Sequence, residues 1–221
     1  RQKNKYYYLK GIKNGMPICL GYLAVSFTLG ITARNAGMTA WQAMLTSLAC
    51  NASAGQYAGF TVIAAGGTYF EIVLMELVAN ARYLLMSCSL SQKFSSETGL
   101  LHRLLVGFDV TDEIFGVAVS EPGKLNPFYN YGMMTVAIPG WSLGTFFGVI
   151  MGNILPANIV SALSVGLYGM FLAIIIPPAR KNKVIAALVT ISMVSSYIFS
   201  RLPVISDISS GIRTIILTVA I

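Results

Sequence analysis

Glu76, Asn80 and Arg82 fall in one apolar stretch of this chain, and Asp109, Asp112 and Glu113 in the next. Each ionisable side chain costs about +2.5 to +3.5 kcal/mol at a bilayer centre, so it persists there mainly where it faces protein or a water-filled cavity. Arg82 offers a bidentate fork for a carboxylate. A structural ion pair with Glu76, or with an acid of the following segment, is the alternative. On a helix of 100° per residue, Tyr69, Glu76, Asn80 and Tyr83 share one face, and Glu71 and Arg82 another. Two polar faces cannot both meet lipid, so the helix is either wrapped by neighbours or unwound near Arg82. Asp109, Asp112 and Glu113 are spaced i, i+3 and i+4, and a continuous helix would present all three on one side. Such a cluster suits a carrier residue that loads and releases a proton; solvated acids at the membrane interface are the other reading.

A third candidate is the run from Cys50 to Tyr57, near the middle of a long apolar stretch. Asn51, Ser53, Gly55 and Gln56 weaken a helix there and bring hydrogen-bonding groups. A break at this depth would free backbone amides for a carboxylate and carbonyls for a cation. Close packing of small residues explains the same run without a ligand. Gly140, Gly144, Gly148 and Gly152 recur every four residues and form a ridge for a neighbouring helix. Trp141 beside it either closes a pocket over an aliphatic side chain or simply packs in the bundle.

These residues need elements that span a membrane, and composition supplies them. The chain is 55% hydrophobic and 10% charged, with mean hydropathy +0.70. That places it outside the soluble range. The pattern predicts an all-α polytopic transmembrane bundle of about seven or eight segments, near 15–34, 40–65, 68–90, 104–120, 128–153, 157–178, 183–200 and 204–221. Seven crossings with one re-entrant piece is the variant, because 104–120 is short and acidic and 204–221 begins polar and contains Arg213. Residues 1–14 read as a basic cytoplasmic segment and 15–221 as a single permease domain. The first apolar stretch is expected to be a permanent helix rather than a cleaved leader. Because the chain starts at Arg1 and stops at Ile221 inside an apolar run, a few terminal residues are expected to be missing.

Basic residues set the orientation. With the N terminus inside, Arg1, Lys3, Lys5, Lys10, Lys13, Lys124, Arg180, Lys181 and Lys183 fall inside, and Arg34, Lys93, Arg103 and Arg201 outside, nine against four. The net charge of +7 is then a topology signal and an attraction to anionic lipid headgroups, and no nucleic-acid partner is needed. Cys19, Cys50 and Cys88 have neither disulfide nor metal-ligand spacing. His102, the single histidine, reads as a loop residue. Neither a cofactor, a metal site nor an enzyme is expected.

The chain resembles the AzlC-type branched-chain amino acid permeases from about Gly15 to the C terminus. The resemblance rests on Gly15-x-Pro17-Ile18-x3-Gly21 with Gly30 and Ala33, then Ala43 and Ser47 before Gly55-Gln56. It continues through Asn80-Ala81-Arg82-Tyr83-Leu84-Leu85-Met86, Thr111-Asp112-Glu113-x-Phe115, Trp141-x2-Gly144-Thr145-x2-Gly148 with Pro156, and Gly169-Met170-Phe171-Leu172-Ala173. It implies a multi-pass plasma-membrane protein that moves valine, leucine or isoleucine outward together with a small AzlD-type membrane subunit. A homo-oligomer is left open. Ser53 stands where many relatives carry glycine, and Tyr83 follows Arg82 where others have histidine. On this reading Arg82 and the break at Asn51 to Gln56 hold the substrate carboxylate, Gln56, Asn80 or Glu76 receives its ammonium, Trp141 closes the pocket, and Asp109, Asp112 and Glu113 carry any coupling proton. A carrier for another small metabolite, a non-transporting scaffold and an intramembrane enzyme are the competing classes.

Overall fold

The computed structural model describes residues 2–152 and 182–201, together with single positions at 154, 156, 158, 176, 179, 180, 216, 217 and 220. The predicted helices 157–178 and 204–221, and the motif from Gly169 to Ala173, lie outside the described residues. The described elements are helical: α1 (Gln2–Asn35), α2 (Ala40–Cys50), α3 (Ser53–Ala64), α4 (Tyr69–Lys93), α5 (Leu100–Gly107), α6 (Asp112–Ser120), α7 (Pro127–Met151) and α8 (Lys183–Arg201). Helix starts are written in local chemistry. Thr39 with Gln42, and Thr68 with Glu71, close capping boxes in which each side chain satisfies the other's backbone amide. Glu71, placed on a second polar face by periodicity, is spent on this cap.

Among the described residues three helices, α1, α4 and α7, are long and apolar enough to cross a membrane, and the chain is an all-α membrane bundle. α1 and α7 form its spine and run parallel. Gly11 lies against Tyr129 and Gly132, Gly15 against Met133 and Val136, Cys19 against Gly140, and Gly30 against Thr145 and Gly148. The glycine ridge anticipated on α7 is thus matched by small residues on α1, and backbones touch where a side chain would otherwise stand.

α2 with α3, and α5 with α6, form two hairpins that enter from opposite sides and turn back near mid-depth. α2 starts beside the C-terminal end of α7, where Trp41 meets Phe146 edge to face. At Asn51 and Ala52 the chain turns, and α3 returns antiparallel to α4, with Gly55 against Asn80 and Gly59 against Glu76. The predicted helix 40–65 is therefore two helices. α5 enters from the other side, where His102 hydrogen-bonds Tyr131 at 2.8 Å. α6 returns there beside α4: Arg82 meets Asp112 at 2.8 Å, and Lys93 Nζ donates to the Val119 carbonyl at 2.6 Å.

Three expectations are corrected by this path. The segment 104–120 is not one helix but breaks at 108–111, because Thr111 caps a new helix start and its side chain accepts from Ile114 N. Asp109 therefore leaves the face of Asp112 and Glu113. His102 lies in α5 rather than in a loop. Lys93 and Arg103, assigned opposite the N terminus, lie on the N-terminal side with Lys124, which donates to the Gln92 carbonyl at 3.2 Å. The Lys10–Glu121 pair at 2.5 Å and the Asn126–Asn4 hydrogen bond at 3.1 Å fix that side. Residues 1–14 are helical from Gln2 onward and continue without a break into the first span.

Candidate functional site

The two hairpin tips meet at the centre of the bundle. Tyr22 is twelve residues beyond Lys10 and thirteen before Asn35, and Trp141 lies at a similar depth in α7. At 1.5 Å per residue these intervals place the tips roughly 15–20 Å from either side, the middle of a hydrocarbon core about 30 Å thick. Asn51 caps α2 in the left-handed region (φ 42°), which asparagine tolerates better than other side-chain-bearing residues, and its side-chain amide donates to Asp109. Ala52 precedes α3 without a side-chain cap, so the first amides of α3 keep their donors free of side-chain partners.

Around this meeting point lies a pocket lined by Tyr22, Asn51, Ser53, Tyr83, Thr111, Asp112, Glu113 and Trp141. Its free volume of about 10 Å³ has room for about one water molecule. Its polar walls are the uncapped start of α3 on one side and the two carboxylates of α6 on the other. The Tyr22 hydroxyl donates to Glu113 Oε2 (2.8 Å), lies 2.6 Å from Thr111 Oγ1, and its ring packs edge to face on Trp141 at 5.2 Å. Arg82 pairs with Asp112 and stacks 5.2 Å from the centre of the Tyr83 ring. Its Nε is buried without a partner, leaving one donor in reserve.

Of the residues singled out from sequence, Asn51, Ser53, Asp112, Glu113 and Trp141 line this pocket, and Arg82 adjoins it through Asp112. Gln56 does not. It lies behind the pocket, where its Oε1 accepts from Trp141 Nε1 (2.8 Å) and its Nε2 donates to Ser47 Oγ (2.5 Å). Ser47 bonds Thr145 at 2.7 Å, so this buried chain locks the Trp141 ring and ties α2, α3 and α7 together. Glu76 and Asn80 form a separate group against Gly55, with Asn80 Nδ2 donating to Glu76 at 2.7 Å and Cys50 Sγ 3.6 Å from the same carboxylate. Asp109 sits in the turn between α5 and α6, buried and tied to Asn51 but not lining the pocket.

Tyr22, Tyr83 and Thr111 are pocket residues that sequence reasoning did not select. Tyr22 carried a usable signal, since a phenol inside a charge-free apolar stretch needs a polar partner when buried. Thr111 before Asp112 and Glu113 carried another, the pattern of a helix start. Among the described residues no group of three His, Cys, Asp or Glu side chains could hold a metal ion.

The model of the family described as AzlC protein matches residues 17–155. An "Uncharacterized membrane protein" of Archaeoglobus fulgidus is 30% identical over 180 residues, covering 80% of this chain and 78% of that protein. The "Inner membrane protein YgaZ" of Escherichia coli is 25% identical over 150 residues, 66% of this chain and 61% of that protein. An "Uncharacterized membrane protein" of Helicobacter pylori is 25% identical over 153 residues, 66% of each chain. No solved structure is significantly similar to this chain.

Proposed function

The chain belongs to the AzlC family, and from that premise we propose that it is a secondary transporter, not an enzyme, that exports valine, leucine or isoleucine across the plasma membrane. Its N terminus is cytoplasmic, a small AzlD-type subunit works with it, and a proton gradient drives it. The observation that carries the reading is the pocket at mid-depth between two hairpin tips, whose walls oppose free helix amides to carboxylates beside an indole. A zwitterionic aliphatic amino acid needs those three things. The first amides of α3, with Ser53 and the spare donor of Arg82, suit its carboxylate; Glu113 and Asp112 suit its ammonium; Trp141 and Tyr83 offer the apolar wall.

The room for about one water means that substrate enters only when the hairpins part, which is the motion a carrier needs to expose one site to two sides in turn. The orientation rests on the basic residues. From α1 to α7, Lys3, Lys5, Lys10, Lys13, Lys93, Arg103 and Lys124 share the N-terminal side, against Arg34 on the other, with Arg82 at mid-depth. The direct test is counterflow of radiolabelled leucine in proteoliposomes, with the chain alone and with its small partner. Accumulation against preloaded unlabelled leucine supports the reading. Its absence from both preparations of folded protein would overturn the substrate assignment.

A further inference from the structure

Asn51 and Asp109 are the facing tips of the two hairpins, 4% and 1% exposed. Asn51 Nδ2 donates to Asp109 Oδ1. The other atoms of the same two planar groups, Asn51 Oδ1 and Asp109 Oδ2, are both buried and both without a partner. An ionised carboxylate and an amide oxygen only accept, and a buried acceptor left unpaired costs about 1–3 kcal/mol, more when charged. Rotating the asparagine amide merely changes which oxygens are orphaned. A proton on Asp109 Oδ2 turns that atom from acceptor into donor, and Asn51 Oδ1 is the unpaired acceptor on the very group that Asp109 already faces; a bond between them would close a two-bond ring between acid and amide.

No neighbouring ionisable group supplies that donor. Glu113 of α6 accepts from Tyr22 of α1, Asp112 pairs with Arg82 of α4, and Glu76 of α4 is engaged by Asn80 and Cys50. We propose that Asp109 is the proton-carrying residue of the transporter, protonated in this closed state and clamped to Asn51, so that losing the proton releases the hairpin tips from each other. This deepens the transporter reading and rests on it. The proton passes to water on whichever side the hairpins have opened, and the carboxylate left behind faces the amide oxygen with no donor between them. Proton binding and pocket closure are thereby one event, whereas Asp112 and Glu113 serve the substrate.

The test uses the full chain, purified in detergent, with melting temperature measured from about pH 5 to about pH 9. A proton held by the folded state but not by the unfolded one stabilises at low pH, and that stability is lost as pH rises. Asp109→Asn keeps a ring without the proton, since its amide donates to Asn51 Oδ1. The wild type is expected to lose more than about 4 °C relative to Asp109→Asn across that range. The swapped pair Asn51→Asp with Asp109→Asn, which puts the acid on the other hairpin, restores the pH dependence and serves as well if the single variant does not fold. A pH-independent difference overturns the proposal, and so does stabilisation of the wild type, but not of Asp109→Asn, when sodium chloride replaces choline chloride. In proteoliposomes, Asp109→Asn, whose tips stay joined at every pH, is expected to lose at least tenfold in both counterflow and pH-driven accumulation; wild-type rates of either also overturn it. The melting experiment needs no substrate, so a wild type that fails to counterflow leucine yet shows the pH shift refutes the substrate and not the proton site.

Discussion

Arg82 shows how much one side chain is asked to do at this depth. Its guanidinium holds Asp112 at 2.8 Å, yet both partners are about a third exposed, so the pair contributes on the order of 1 kcal/mol or less to stability. Removing Arg82 should therefore leave the protein folded and inserted while leaving Asp112 unpaired in the pocket wall. Arg82→Ala is expected to lower leucine counterflow at least tenfold at unchanged membrane expression. Adding Asp112→Asn distinguishes two roles. If Arg82 or Asp112 meets the substrate itself, as the spare Nε of Arg82 implies for the carboxylate, the double variant stays inactive; recovery would make Arg82 only the neutralising partner of Asp112 and would take both out of the substrate site. The sequence exposed this ambiguity by spacing but could not resolve it, because an ion pair between α4 and α6 depends on the return path of α6 and not on either helix alone.

Among the elements, the spine of α1 and α7 tolerates no added atoms where the backbones touch. A Cβ at Gly148 would meet the Phe27 carbonyl, whereas at Gly21 it would meet nothing within 4 Å. Gly148→Ala is thus expected to destabilise by about 1–3 kcal/mol through overpacking, and Gly21→Ala to be neutral or slightly stabilising through helix propensity. Melting temperatures in one detergent decide this; equal losses at both sites would contradict the parallel packing. The four-residue glycine spacing made the ridge on α7 legible. The break at Asn51 was also legible, since small and amide residues in mid-membrane serve a helix poorly. What periodicity could not read was the second break, because the i, i+3, i+4 pattern of Asp109, Asp112 and Glu113 assumes a helix that Thr111 interrupts. The capping pattern at Thr111 was the available signal, and it competes with periodicity over too few residues to prevail by inspection.

At the scale of the whole molecule, apolar length does not equal crossing. The stretches 40–65 and 104–120 each read as a crossing, and alternation would then put the turn at 65–68 on the N-terminal side and the loop 94–99 on the opposite one. The contacts give the reverse. α3 returns along α4 to the side from which α2 came, and Arg103 ties the loop 94–99 down by donating to the carbonyls of Ser91, Ser95 and Thr98 on the side of Lys10 and Glu121. The gain in charge asymmetry is itself physical support, because Lys93 and Arg103 join the lysine-rich side that the cytoplasm retains. Cysteine labelling tests this with a background in which Cys19, Cys50 and Cys88 are replaced by serine. Ala65→Cys is expected to react with an impermeant maleimide from outside intact cells, and Ser96→Cys only after the membrane is opened. The opposite result at both positions would restore two full crossings, move the Asn51–Asp109 contact out of reach and remove the meeting of hairpin tips on which the pocket depends.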